Sequence, residues 1–123
     1  AIAALTFYQG CPMIYYGDEI FMEGKQDPYN RKCMRWNSPR FNSEEFQTVK
    51  ALFALRKLDC LKIGDISIWE TDGVCYIKRS LAGKSLTLAL NYSGKDKTIK
   101  GKVILSRNVC DFIMKNKSFA VVE

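Results

Sequence analysis

A chain of 123 residues is long enough for one ordinary domain, or for a piece of one joined to a small second domain, and too short for a whole barrel enzyme. With 47% hydrophobic and 26% charged residues it can bury a real core, while no apolar run approaches the roughly 18 residues that a membrane span needs. The net charge of +6 raises nucleic acid as a partner, but Lys84, Lys95, Lys97, Lys100, Lys102, Lys115 and Lys117 cluster beside glycines and turns without interleaved aromatics, so the sequence predicts neither a nucleic-acid nor a membrane partner.

Five cysteines form an odd, widely spaced set with no C-x-x-C pair, and there is no histidine, so no metal or other cofactor is expected. They read as buried, reduced thiols of a cytoplasmic protein. The opening Ala1-Ile2-Ala3-Ala4-Leu5 has no initiator Met, basic region or cleavage site; it reads as the middle of something rather than as a signal peptide.

In chain order, residues 1–7 read as the last turns of a helix, stopped by Gly10 and Pro12. The run Pro12-Met13-Ile14-Tyr15-Tyr16 is apolar on both faces, which predicts a parallel strand buried on both sides. Residues 17–42 are polar and rich in Gly, Pro, Asp and Asn, about 25 in a row, longer than the usual loop of a compact domain. Ser43 then predicts an N-cap with Glu44 and Glu45 in the first turn. Phe46, Val49, Leu52, Phe53 and Leu55 follow at helical spacing as far as Arg56 and Lys57.

Composition changes near Ile63-Gly64-Asp65, dividing the chain into 1–62 and 63–123. Beyond that point residues 66–69, 74–79, 86–91, 103–105, 112–114 and 119–122 predict short strands, with turns at Asp72-Gly73, Ala82-Gly83, Ser93-Gly94 and Lys100-Gly101. Leu86, Leu88 and Leu90 against Ser85, Thr87 and Asn91 mark a half-buried strand. About six strands in such a span is the rhythm of an antiparallel β-sandwich.

Strand, long polar loop and helix is the order of one βα unit in a barrel, whose loop lies at the active-site face. This loop mixes Asp18, Glu19, Glu23, Asp27, Arg31 and Arg35 with Tyr16, Tyr29 and Trp36, which suits sugar hydroxyls and pyranose faces; a solvated surface loop explains the composition equally well. Glycoside hydrolysis needs two carboxyl groups about 5 Å apart for retention or about 6.5–9.5 Å for inversion. Asp18 and Glu19 are adjacent, so in a strand they point to opposite sides and do not make that pair. Asp27 and Arg31 are four apart, and an Asp beside an Arg stays ionised, which fits positioning rather than acid catalysis.

The segment Gly10-Cys11-Pro12-Met13-Ile14-Tyr15-Tyr16-Gly17-Asp18-Glu19-Ile20, followed by Asp27-Pro28, Arg31 and Met34-Arg35-Trp36, resembles the end of the barrel in the alpha-amylase superfamily, nearest to its neopullulanase and cyclomaltodextrinase branch. The resemblance implies an α+β fragment: the last strand and helix of a (β/α)8 barrel over 1–62, then a small antiparallel β-sandwich domain over 63–123. It implies that Asp27 and Arg31 bind glucosyl units on the non-reducing side of the cleaved bond, with Tyr16 and Glu19 structural at the barrel top. Phe21, where the branch usually has Gly, and the Gly-poor stretch 22–26 depart from the pattern.

The family's nucleophilic Asp, acid/base Glu and third Asp come from other strands, upstream of Ala1, so the resemblance implies a retaining α-glucan hydrolase whose catalytic residues are not in this chain. An α-glucan or maltooligosaccharide is then the expected partner of the whole enzyme. A strand at 12–16 without barrel neighbours would have bare edges, which predicts either pairing into a homo-oligomer or irregular packing on the β domain. The alternative from another class is a non-catalytic carbohydrate-binding β module using Trp69 and Tyr76.

Overall fold

The computed structural model describes residues 1–123. Three short helices come first: α1 (Ile2–Phe7), α2 (Glu44–Leu55) and α3 (Asp59–Ile63). A long irregular segment separates α1 from α2, interrupted by 3-10 turns at Asp18–Ile20 and Pro39–Asn42. Six strands follow: β1 (Asp65–Thr71), β2 (Val74–Leu81), β3 (Lys84–Asn91), β4 (Lys97–Thr98), β5 (Val103–Cys110) and β6 (Ile113–Val122).

α2 starts where its capping residue dictates. The Ser43 Oγ accepts the Phe46 N–H at 3.2 Å, and Glu44 and Glu45 place negative charge at the positive end of the helix. Of its buried side chains, Val49 and Leu52, Leu52 packs with α1 and the sheet. The expected helix end at 1–7 is α1. α3 escapes the periodicity argument because five residues are too few to show a face, yet it contributes the buried Cys60 and Leu61.

The strands form one antiparallel sheet in the order β1-β2-β3-β6, with β5 on the far side of β6. β3 and the two-residue β4 lie end to end along the near side of β6, opposite Ser118–Val122 and Ile113–Met114 respectively. The two-sheet sandwich is therefore corrected to a single curled sheet, and the two runs at 112–114 and 119–122 fuse into one strand. β6 stays continuous because β5 hydrogen-bonds along both halves of it, absorbing the irregularity in two register shifts.

The β1–β2 and β2–β3 hairpins are closed by two-residue turns, Asp72-Gly73 and Ala82-Gly83, between the pairs Thr71 and Val74, and Leu81 and Lys84. All four turn residues have positive φ (53°, 76°, 48° and 78°), the type I′ geometry whose twist matches the flanking strands.

The sheet face toward the helices carries Ile77, Leu86, Leu88, Leu90 and Val121, packed with Ala3, Phe7, Leu52, Cys60 and Leu61 in one apolar cluster. The opposite face carries Val74, Ala89, Ala120 and Val122, covered by Ile99 and Met114. The expected polar side of β3 is therefore buried as well: Ala89 and Asn91 are both fully enclosed. Asn91 Nδ2 donates to the carbonyls of Lys95, Met114 and Lys115 at 2.8, 2.8 and 3.1 Å, tying the 91–95 turn to β6.

Two expectations fail. Residues 11–15 take no regular secondary structure, where a buried parallel strand was expected. A strand is held by neighbouring backbones, and none lies beside this segment; Met13 is 83% exposed. The thiols are unpaired as expected, but Cys11, Cys33 and Cys110 are exposed, since two sit on the long loop region and one ends an edge strand.

Candidate functional site

The long segment between α1 and α2 is held by its own polar groups. Gly17 takes φ 91°, a left-handed turn that glycine adopts without strain, and opens the 3-10 turn. Glu19 Oε2 accepts the Gly17 N–H at 2.9 Å, and Asp18 Oδ2 accepts the Tyr15 N–H at 3.1 Å. Tyr16 Oη donates to the Lys32 carbonyl at 2.8 Å, and Lys32 Nζ donates to the Glu23 carbonyl at 3.2 Å, so the outgoing and returning limbs are crossed by two bonds. Arg40 Nη1 donates to the Phe21 and Ile20 carbonyls at 2.8 and 3.3 Å, fixing the other end.

At the tip, Asp27 Oδ1 and Arg31 Nε are 2.7 Å apart, with side chains 59% and 69% exposed. The Arg31 N–H donates to the Pro28 carbonyl at 3.0 Å, which closes a turn that carries the exposed Tyr29, between the two ions in sequence. The structure thus joins Asp27 to Arg31 and places Tyr16 and Glu19 at the base of the same loop. The Tyr16 phenol has its pKa held above its ordinary value, first by the Tyr15 side chain and then by partial removal from water, against a smaller opposing pull from the Arg31 charge. Exposed carboxylate and guanidinium groups beside an aromatic ring can accept from and donate to hydroxyls.

Sequence reasoning passed over Lys32 and Arg40, which do most of the tying, and the shallow concavity that Phe21, Glu23, Lys32, Arg35 and Arg40 line beside them. Basic residues on a polar loop give no signal of being intramolecular donors. Of the alternative pair, Trp69 is 41% exposed and Tyr76 half-buried, with rings stacked at 5.1 Å and 10° across β1 and β2.

No protein-family profile matches the chain. The cyclomaltodextrinase of Thermoanaerobacter pseudethanolicus is 38% identical over 101 residues, 78% of this chain and 18% of that protein. Neopullulanase 2 of Thermoactinomyces vulgaris is 34% identical over 96 residues, 75% of this chain and 16% of that protein. The crystal structure of a maltogenic amylase from S. marinus superposes with a TM-score of 0.82 at 27% identity, over 98% of this chain and 18% of that one.

This chain is homologous to the alpha-amylase family enzymes. It spans less than a fifth of the length of these alpha-amylase family relatives. Its antiparallel sheet matches the C-terminal domain of the alpha-amylase family, a half-barrel sheet rather than two facing layers.

Proposed function

We propose that this chain is the C-terminal portion of a retaining α-glucan hydrolase of the cyclomaltodextrinase and neopullulanase kind, in which residues 1–62 complete a (β/α)8 barrel and residues 63–123 form its β domain. The observation that carries this is the Asp27–Arg31 ion pair, exposed at the tip of a tethered loop next to Tyr29, in a chain 38% identical over 101 residues to a cyclomaltodextrinase. In this reading Asp27 and Arg31 hold glucosyl hydroxyls on the non-reducing side of the cleaved bond. Tyr16 and Glu19 hold the loop that presents them, through the Lys32 carbonyl and the Gly17 N–H.

Three of the loop's four carboxylates are engaged: Asp18 and Glu19 accept backbone N–H groups and Asp27 is ion-paired. Glu23 alone is left, whereas cleavage of a glycosidic bond takes two carboxyl groups about 5 Å apart. Hydrolysis then depends on carboxylates from the rest of a barrel, and the chain alone is inactive. Residues 11–16 expose Met13, Tyr15 and Tyr16, and pair with barrel strands or, in their absence, with a second copy. With five unpaired thiols, the protein belongs to the reducing cytoplasm.

The test is a chimera in which this chain replaces the matching region of the Thermoanaerobacter cyclomaltodextrinase, assayed on cyclodextrins, pullulan and starch beside the isolated chain. The chimera is expected to hydrolyse cyclodextrins, to lose about 100-fold in kcat/KM on Asp27→Ala, and the isolated chain to show no turnover. Turnover by the isolated chain, or a folded, active chimera indifferent to Asp27→Ala, sinks the reading.

A further inference from the structure

We infer that the sheet face turned away from the helices carries a separate pyranose-binding platform, built from the stacked rings of Trp69 and Tyr76 and the polar row Ser67, Lys78 and Thr87 beside them. The rings are directly opposite one another on β1 and β2 and nearly parallel. β1 is an edge strand with β2 as its only neighbour, so one face of the indole meets Tyr76 and the other looks past the sheet edge into water. An exposed indole face with a fixed orientation is a surface on which the C–H side of a sugar ring packs with little ordering cost.

The fixing comes from below. Tyr76 packs against the cluster of Val74, Ala89, Ile99, Met114, Ala120 and Val122, so the stack is anchored in the second core rather than free to swing. Residues two apart on a strand share a face, which sets Ser67 beside Trp69 and Lys78 beside Tyr76. The register puts Ser67 opposite Lys78 and Lys78 opposite Thr87, giving a continuous hydroxyl, ammonium, hydroxyl row. That row lies about 7 Å along the strands from the aromatic row, roughly one pyranose length.

An apolar plate flanked at one sugar length by three hydrogen-bonding groups, none of them a carboxylate, fits a neutral polyhydroxylated ring rather than a cation or a purely apolar ligand. Choosing a glucose-based sugar rests on the proposed function; the stacking surface does not. The platform is also independent of Asp27 and Arg31, which belong to the loop between α1 and α2.

The experiment is a titration of the chain with maltotriose, followed through its backbone and indole N–H resonances. The expected result is saturable shifts at Trp69, Lys78 and Thr87 with a Kd on the order of 1 mM, weakened about tenfold or more by Trp69→Ala. The same shifts persist when Asp27 and Arg31 are both replaced by Ala. Lys78→Ala, which removes a partly exposed donor, is the second variant if Trp69→Ala fails to fold, and weakens binding about threefold. Failure of Trp69 to shift at any attainable maltotriose concentration overturns the platform, as does an unchanged titration in folded Trp69→Ala or, where that variant is unfolded, in Lys78→Ala. Shifts confined to residues around Asp27 and Arg31 overturn it too, while leaving the loop reading intact.

Discussion

The guanidinium groups of Arg79 and Arg56 both donate to the carbonyl oxygen of Tyr8, at 3.2 and 3.3 Å. Arg79, 1% exposed, also donates to Phe7 at 3.1 Å and to Gly64 at 2.8 Å, while Arg56 reaches the carbonyls of Thr6, Gly10 and Leu61. Two cations thus gather the end of α1 and the end of α3, whose last carbonyls have no partner within their own helices. Burial, and then the neighbouring Arg56 charge, push the Arg79 pKa below its ordinary value; the acceptors are all neutral carbonyls, and no carboxylate balances it in an ion pair.

Arg79→Met therefore keeps the volume and strands the buried Phe7 and Gly64 carbonyls, Tyr8 retaining Arg56. It is expected to lower the urea midpoint by the equivalent of about 3 kcal/mol or more with an unchanged m value. Arg79→Lys should recover only a part, because one ammonium does not reproduce the planar fork that spans Phe7 and Gly64. A midpoint within error of wild type for Arg79→Met contradicts this account.

Arg107 on β5 donates to Glu45 Oε1 at 2.5 Å and lies 3.6 Å from Glu44 Oε2, joining the sheet to the start of α2. Glu45 has its pKa lowered, first by the hydrogen bond from its own backbone N–H and then by Arg107 and Ser43. A carboxyl whose folded pKa is depressed adds stability above its unfolded pKa and loses it as pH falls through the folded one. Arg107→Ala should accordingly unfold more easily at neutral pH, with the gap to wild type closing on acidification below about pH 4. Denaturation midpoints at several pH values check this; a gap that widens toward low pH reverses the sign.

Asn91 is the only side chain that reaches Lys95, Met114 and Lys115 together, and its Oδ1 accepts from the Ser93 N–H and Oγ at 3.1 and 2.7 Å. Asn91→Ala removes the donor shared by the Met114 and Lys115 carbonyls, while Lys95 keeps Ser93 Oγ, and should cost about 2–4 kcal/mol. Amide exchange of Met114 and Lys115 should quicken in the same variant. An Asn91→Ala protein with wild-type stability removes the network from the account of the turn.

Left-handed non-glycine residues mark places where the backbone is strained for its side chain. Ala82 (φ 48°) opens an exposed type I′ turn, and Ala82→Asn should stabilise by about 0.5–1 kcal/mol. Phe21 (φ 53°, ψ 46°) is left-handed although it is not glycine, and its carbonyl is held by Arg40. Phe21→Gly is expected to change stability by less than about 1 kcal/mol despite the loss of an aromatic ring, since strain relief offsets lost contact. Thermal unfolding of both variants reads the two effects.

What the sequence revealed was local. Ser43 with its two acids, and the glycines at 73 and 83, act on their immediate neighbours, so cap and turns follow from residue type alone. The Asp27–Arg31 pair was legible for the same reason, its four-residue spacing sufficing to join the groups. The segment 12–16 misled because a doubly buried strand is defined by what flanks it, and an apolar run carries no record of its neighbours. Arg79 and Asn91 were equally opaque: neither residue type names the far-off carbonyls it serves. Trp69 sits on an alternating strand, but alternation cannot say which face will be left uncovered.

β6 is the last of the six strands in sequence, yet it is the strand on which β3, β4 and β5 all close. During synthesis, β3 is thus made with β2 on one side only and β5 with no neighbour at all, and for that interval the emerging polypeptide presents unzipped borders. The rate at which this sheet matures is set by the delivery of one segment, and any lesion that delays or frays residues 113–122 leaves the preceding strands available to the wrong partner.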